Sequence, residues 1–94
     1  MALARVVEFE GVDSARMAQL KSRIEGDGRP EDVPATEILV LHDPERERAV
    51  TILFFENDDD YRRAHETLDA MPAEDTPGDR TSVTRYDVAL RMNG

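Results

Sequence analysis

Ala49-Val50-Thr51-Ile52-Leu53-Phe54-Phe55-Glu56 reads as a strand that is apolar on both faces. Strand side chains alternate with a period of two, so Val50, Ile52 and Phe54 point one way and Leu53 and Phe55 the other. One set can pack against helices of the same chain. The other needs a second cover, and 94 residues supply too few elements to layer both sides of a sheet. The reading is a central strand whose second cover is another copy of the protein.

The elements around it follow from local signals. Residues 3–10 read as a first strand closed by Gly11, and Asp13 or Ser14 is placed to cap a helix by accepting an orphan N–H. Met17, Leu20 and Ile24 recur at helical spacing with Lys21 at the stripe edge, and Gly26 and Gly28 are read as the helix stop. Residues 26–35, with Pro30 and Pro34, read as a loop. Residues 36–42 form the second strand, and Asp43-Pro44 opens a turn into the third, making a hairpin. Asn57 or Asp58 is expected to cap a second helix with the stripe Tyr61, Ala64, His65, Leu68 and Met71, stopped by Pro72. After Pro77-Gly78 a last strand is predicted over 81–91, with Thr84, Tyr86, Val88 and Leu90 on one face and Val83, Arg85, Asp87, Ala89 and Arg91 on the other.

The order strand, helix, strand, strand, helix, strand is the split βαβ arrangement. It predicts a ferredoxin-like α+β fold, with a four-stranded antiparallel sheet and both helices on one face. Right-handed crossovers put strands one and three in the centre, where the two-sided strand is expected. Leaving its second face wet forfeits about 1.5–3 kcal/mol per large apolar side chain. A twofold partner laid sheet to sheet recovers that with one self-complementary patch. Arg85, Asp87 and Arg91 share a face of strand four and stand against this picture, either as pairs across the interface or as marks of a solvated face.

Composition narrows the function classes. The chain reads as a single domain over residues 1–94, with 39% hydrophobic residues, enough for a modest core. A formal net charge of −9 argues against nucleic acid and anionic membranes as partners, and solubility accounts for it. Without cysteine there is no disulfide, thiolate nucleophile or Cys-based zinc site. The start lacks the apolar run of a signal peptide, and no segment approaches the roughly 20 apolar residues of a membrane span, so a cytoplasmic protein is expected.

The passage Ile52-Leu53-Phe54-Phe55-Glu56-Asn57-Asp58-Asp59-Asp60-Tyr61-Arg62-Arg63-Ala64-His65, a strand running straight into a helix that carries an aromatic and then a histidine, resembles the dimeric α+β barrel superfamily. That superfamily includes antibiotic-biosynthesis monooxygenases, haem-degrading monooxygenases and muconolactone isomerase. The resemblance implies a homodimeric barrel with ligands held between sheet and helices, and only His65 matches a functional position of the monooxygenase branch. Glu56 or Asn57 stands where that branch has tryptophan, and strand one offers no asparagine. The chain looks most like small uncharacterised bacterial members.

Several residues carry candidate chemistry. His65, beside Tyr61 on one helix face, suits a general base toward a phenolic or enolic proton, or a core-margin histidine bonded to a carbonyl. Tyr61 and Tyr86 are read either as hydroxyls converging on a pocket or as core-margin fillers, with Phe54 and Leu68 as apolar lining. His42 is read as a hairpin histidine. The run Asn57-Asp58-Asp59-Asp60 lacks the alternation and glycine of a calcium loop and is read as capping, so neither metal nor cofactor is expected. Three functions are compatible: a homodimer binding a small apolar or aromatic molecule, a cofactor-free monooxygenase or isomerase with His65 as base, and an interaction module using the sheet face.

Overall fold

The computed structural model describes residues 2–27, 33–70 and 78–92. Its elements are β1 (Leu3–Glu10), α1 (Ser14–Asp27), β2 (Glu37–Asp43), β3 (Arg48–Phe55), α2 (Asp58–Asp69) and β4 (Asp79–Asp87). They form one sheet in the order β2-β3-β1-β4, with every neighbouring pair antiparallel. This is the ferredoxin-like α+β arrangement, with β1 and β3 in the centre.

The local signals act as their chemistry requires. Gly11 takes φ +73°, a left-handed conformation open to glycine, and turns the chain out of β1. Asp13 then caps α1, its Oδ1 accepting from the Arg16 amide at 2.8 Å. In the hairpin turn Asp43 Oδ1 accepts from the Arg46 amide at 3.3 Å, and Glu47 adopts φ 54°. Asn57, in extended conformation, accepts from the Asp60 amide at 2.8 Å and starts α2.

Strand ends shift by one or two residues at β2, β3 and the start of β4, and other boundaries differ more. Helix α1 runs through Gly26 to Asp27, and α2 ends at Asp69 with Ala70 as its C-cap, before Pro72. Gly28, Pro30, Met71, Pro72 and Pro77 lie outside the described residues. The largest difference is in β4, which ends at Asp87 rather than 91. Asp87 pairs with Leu3, the first residue of β1, so beyond it the ladder has no strand to join. One more bond follows, from the Val88 amide to the Ala2 carbonyl at 3.0 Å, and residues 88–92 then leave the sheet.

Register fixes the faces, because residues directly opposite in antiparallel strands project to the same side. The helix-side face carries Leu3, Arg5, Val7 and Phe9 of β1 and Ala49, Thr51, Leu53 and Phe55 of β3. Two clusters fill it. Around α1, Met17 and the flanking Leu20 pack with Val7, Phe9, Val12 and Ala49. Around α2, Tyr61, Ala64 and the flanking Leu68 pack with Leu3, Val33, Leu53 and Phe55.

Among the described residues no element covers the other face as a layer. Its rows read Glu37–Phe54–Ala4–Tyr86, Leu39–Ile52–Val6–Thr84 and Leu41–Val50–Glu8–Ser82 across the sheet. Leu39, Leu41 and Tyr86 are 40%, 53% and 55% exposed, while Val6, Val50, Ile52 and Phe54 are half-buried. The two-sided strand has produced a two-sided sheet.

Candidate functional site

The helix-side layer beneath α2 gathers the chain's chemistry. Asn57 sets the first turn, and the helical period then aims Tyr61, Ala64 and Leu68 at the sheet with His65 one step around. Tyr61 is buried and meets Phe55 edge to face at 5.5 Å. Spaced four residues apart on the helix, Tyr61 and His65 stack at 5.9 Å with an interplanar angle of 13°. The Arg85 guanidinium lies over the Tyr61 ring, 5.0 Å from its centroid.

Arg5 stands at the centre of this layer. The alternation of β1 that buries Leu3, Val7 and Phe9 also turns Arg5 inward, and it is 3% exposed. Its Nε donates to His65 Nδ1 at 3.3 Å. Its Nη2 is buried and meets no hydrogen-bond partner among the described residues. Burial lowers the Arg5 pKa from its ordinary value; the phenol of Tyr61 opposes that, the neighbouring Arg80 adds to it, and Asp69 opposes it. A guanidinium still keeps its charge at neutral pH. Arg5 is therefore a buried cation facing a neutral imidazole, whose Nδ1 accepts and whose proton belongs on Nε2.

The cations of β4 on this face are differently placed. Arg85 lies opposite Arg5, and Arg80, beyond a bulge at Glu8/Phe9, lies opposite Phe9. Arg85 pairs with Asp58 at 2.7 Å and Arg80 with Asp69 at 2.9 Å. The hydrogen bond from Arg85, aided by Arg62, holds the Asp58 carboxyl below its usual range against partial desolvation. Each of these arginines has an aspartate, and Arg5 has none among the described residues.

The sheet divides the expected site residues. Tyr61, His65 and Leu68 share the helix-side layer, whereas Phe54 and Tyr86 are on the opposite face, each opposite Ala4. The hydroxyls of Tyr61 and Tyr86 therefore do not converge, because Tyr86 is one residue out of phase with Arg85. The same parity removes Arg85 and Asp87 from the uncovered face, where their charges had stood against an apolar interface. Arg91 alone reaches that face. Its guanidinium lies 4.6 Å from the Phe54 ring centroid and it pairs with Glu37.

The remaining candidates serve structure. His42 Nε2 donates to the Val12 carbonyl at 2.8 Å, tying β2 to the start of α1. Asp58 and Asp59 pair with Arg62 at 2.8 and 3.4 Å at the head of α2. Among the described residues no cluster of three or more His, Asp or Glu is placed to hold a metal ion, and no helix is long and apolar enough to cross a membrane.

Arg5 is the residue that sequence reasoning passed over. The signal was present, since an arginine at the inward parity of Leu3, Val7 and Phe9 has to be buried with the rest of that face. No protein-family model matches the chain, and no curated protein matches it.

Proposed function

We propose that this protein is a homodimeric α+β barrel of the superfamily its strand-to-helix passage resembles, and that it binds a small apolar or aromatic molecule in the layer between sheet and α2. The observation that carries the reading is the uncovered sheet face, where Leu39, Leu41 and Tyr86 stay 40–55% exposed beside Val6, Val50, Ile52 and Phe54. A contiguous apolar surface of this kind is uncommon on a monomer. Its boundaries suit a second copy. The centre is aliphatic apart from Glu8 of β1, which accepts from Ser82 Oγ at 2.6 Å, while Glu37 and Arg91 bound one end and Arg48, Glu10 and Asp43 the other. A twofold axis through the centre lays aliphatic rows on aliphatic rows and leaves the ion pairs at the rim.

Binding fits the helix-side layer better than base catalysis does. A neutral imidazole has one lone pair, and that of His65 is engaged by Arg5. A base would first have to release that bond.

Sedimentation equilibrium over micromolar loading concentrations tests the dimer, with a mass near twice 10.6 kDa expected. A 10.6 kDa species at every concentration would remove the barrel and leave the face to another protein. Fluorescence or NMR titration with apolar aromatic probes tests the ligand. Resonances of Tyr61, His65 and Leu68 that stay still throughout would remove that half of the reading.

A further inference from the structure

We propose that Arg5 anchors a monoanion site, in which the carboxylate of a small aromatic acid enters the layer between β1, β4 and α2 and accepts the hydrogen bond that Arg5 Nη2 lacks. The inference rests on the ligand half of the proposed function and is independent of the dimer.

Its foundation is an unanswered charge. Arg5 is 3% exposed, its Nε is spent on His65, and its Nη2 has no acceptor among the described residues. A buried ion without a counterion is among the most costly features a small fold can hold, so an acceptor that reached Arg5 Nη2 would relieve that cost. The carboxylates that α2 brings to the helix-side arginines are already paired. Asp58 is held by Arg85 and Arg62, and Asp69 by Arg80.

Charge and shape narrow the ligand. With Arg80 and Arg85 each neutralised by an aspartate, the helix-side surplus at Arg5 is a single positive charge, which one carboxylate balances. A phosphate dianion would bring a second negative charge toward Asp58 and Asp69. The surroundings are aromatic and apolar, with the stacked Tyr61 and His65 rings on α2 and Val83 on β4 between the positions of Arg80 and Arg85. With Nδ1 accepting from Arg5, His65 keeps an Nε2–H, so the imidazole adds a donor rather than a competing negative group. An unsubstituted aromatic ring carrying one carboxylate satisfies both halves of the site.

The test uses benzoate, with benzyl alcohol as its uncharged counterpart, on the full chain and on Arg5→Met. Replacing a buried ion by an apolar side chain of similar length is often neutral or stabilising, so the variant is expected to fold with a Tm at or above that of the wild type. Benzoate should raise the Tm of the wild type, its dissociation constant should weaken at least about tenfold in Arg5→Met, and benzyl alcohol should bind both proteins alike. In the wild type, benzoate and not benzyl alcohol should move the Arg5 Nε–H resonance, a readout that does not depend on the variant folding. Equal responses to benzoate and benzyl alcohol in both proteins would overturn the carboxylate site while leaving an apolar pocket standing. No response to either probe would overturn both.

Discussion

Leu41→Glu separates a covered sheet face from a bare one. Leu41 is 53% exposed on β2, opposite Val50, so roughly half its surface remains to be covered by a partner. Full burial of a leucine is worth about 1.5–3 kcal/mol, and the remaining half therefore about 0.8–1.5 kcal/mol. In a twofold dimer every substitution occurs twice, which brings the loss to about 1.5–3 kcal/mol and the dissociation constant up by roughly 10–200-fold. Desolvating the new carboxylates adds to that, so the lower end is a floor. In the isolated chain the same substitution gives up only the half of Leu41 already buried on an edge strand, and folding stability should fall once by about 0.8–1.5 kcal/mol. Sedimentation equilibrium reads the first quantity and urea melts of the dissociated chain read the second. Gln19→Glu, exposed on α1, controls for the added negative charge. A dissociation constant that shifts equally in both variants, or not at all, would refute sheet-to-sheet pairing.

Three further substitutions test the fold that positions the site. A Cβ at Gly78 would fall 2.4 Å from the Glu10 carbonyl oxygen and 2.8 Å from Val12 Cγ2, so Gly78→Ala should lose about 1–3 kcal/mol in urea unfolding, and an unchanged midpoint would contradict the close approach. Asn57→Ala removes the acceptor for the Asp60 amide and should lower stability by about 1 kcal/mol, most visibly as earlier amide exchange in the first turn of α2. Asp58, whose folded pKa is held down mainly by Arg85, should contribute stability above the ordinary carboxylate pKa of about 3.9 and lose it as pH falls through the depressed folded value. Melting temperatures of Asp58→Asn and wild type should accordingly differ at pH 6 and converge in strong acid; a constant gap would exclude the linkage.

Sequence reasoning reached the topology because its signals are local and redundant. The caps at Asp13 and Asn57, the Asp43-Pro44 turn and the closing Gly11 each act within a few residues, and each makes the contact its chemistry implies. The end of β4 was not legible for the opposite reason. Residues 88–91 keep a strand-like alternation, but a strand exists only where a neighbour continues the ladder, and β1 begins at Leu3. The split of the site residues is likewise a register property. Tyr86 and Arg85 differ by one position, and only the pairing of β4 with β1 says that Arg85 belongs with Arg5 and Tyr86 with the uncovered face.

Arg5 shows how burial parity can outrank motif reading. A histidine beside a tyrosine on an amphipathic helix invites a catalytic role because imidazole titrates near neutrality. What that imidazole can do is set by the strand beneath it. Its Nδ1 lone pair accepts from Arg5 Nε, so a base built on His65 would first have to break a bond to a buried guanidinium. A ligand carboxylate on Nη2 would fix the guanidinium and with it that bond, which joins two residues 60 positions apart in sequence. Benzoate should therefore slow the solvent exchange of the Arg5 Nε–H. Equal exchange rates with and without benzoate would show that an anion at Nη2 leaves the Arg5–His65 contact untouched.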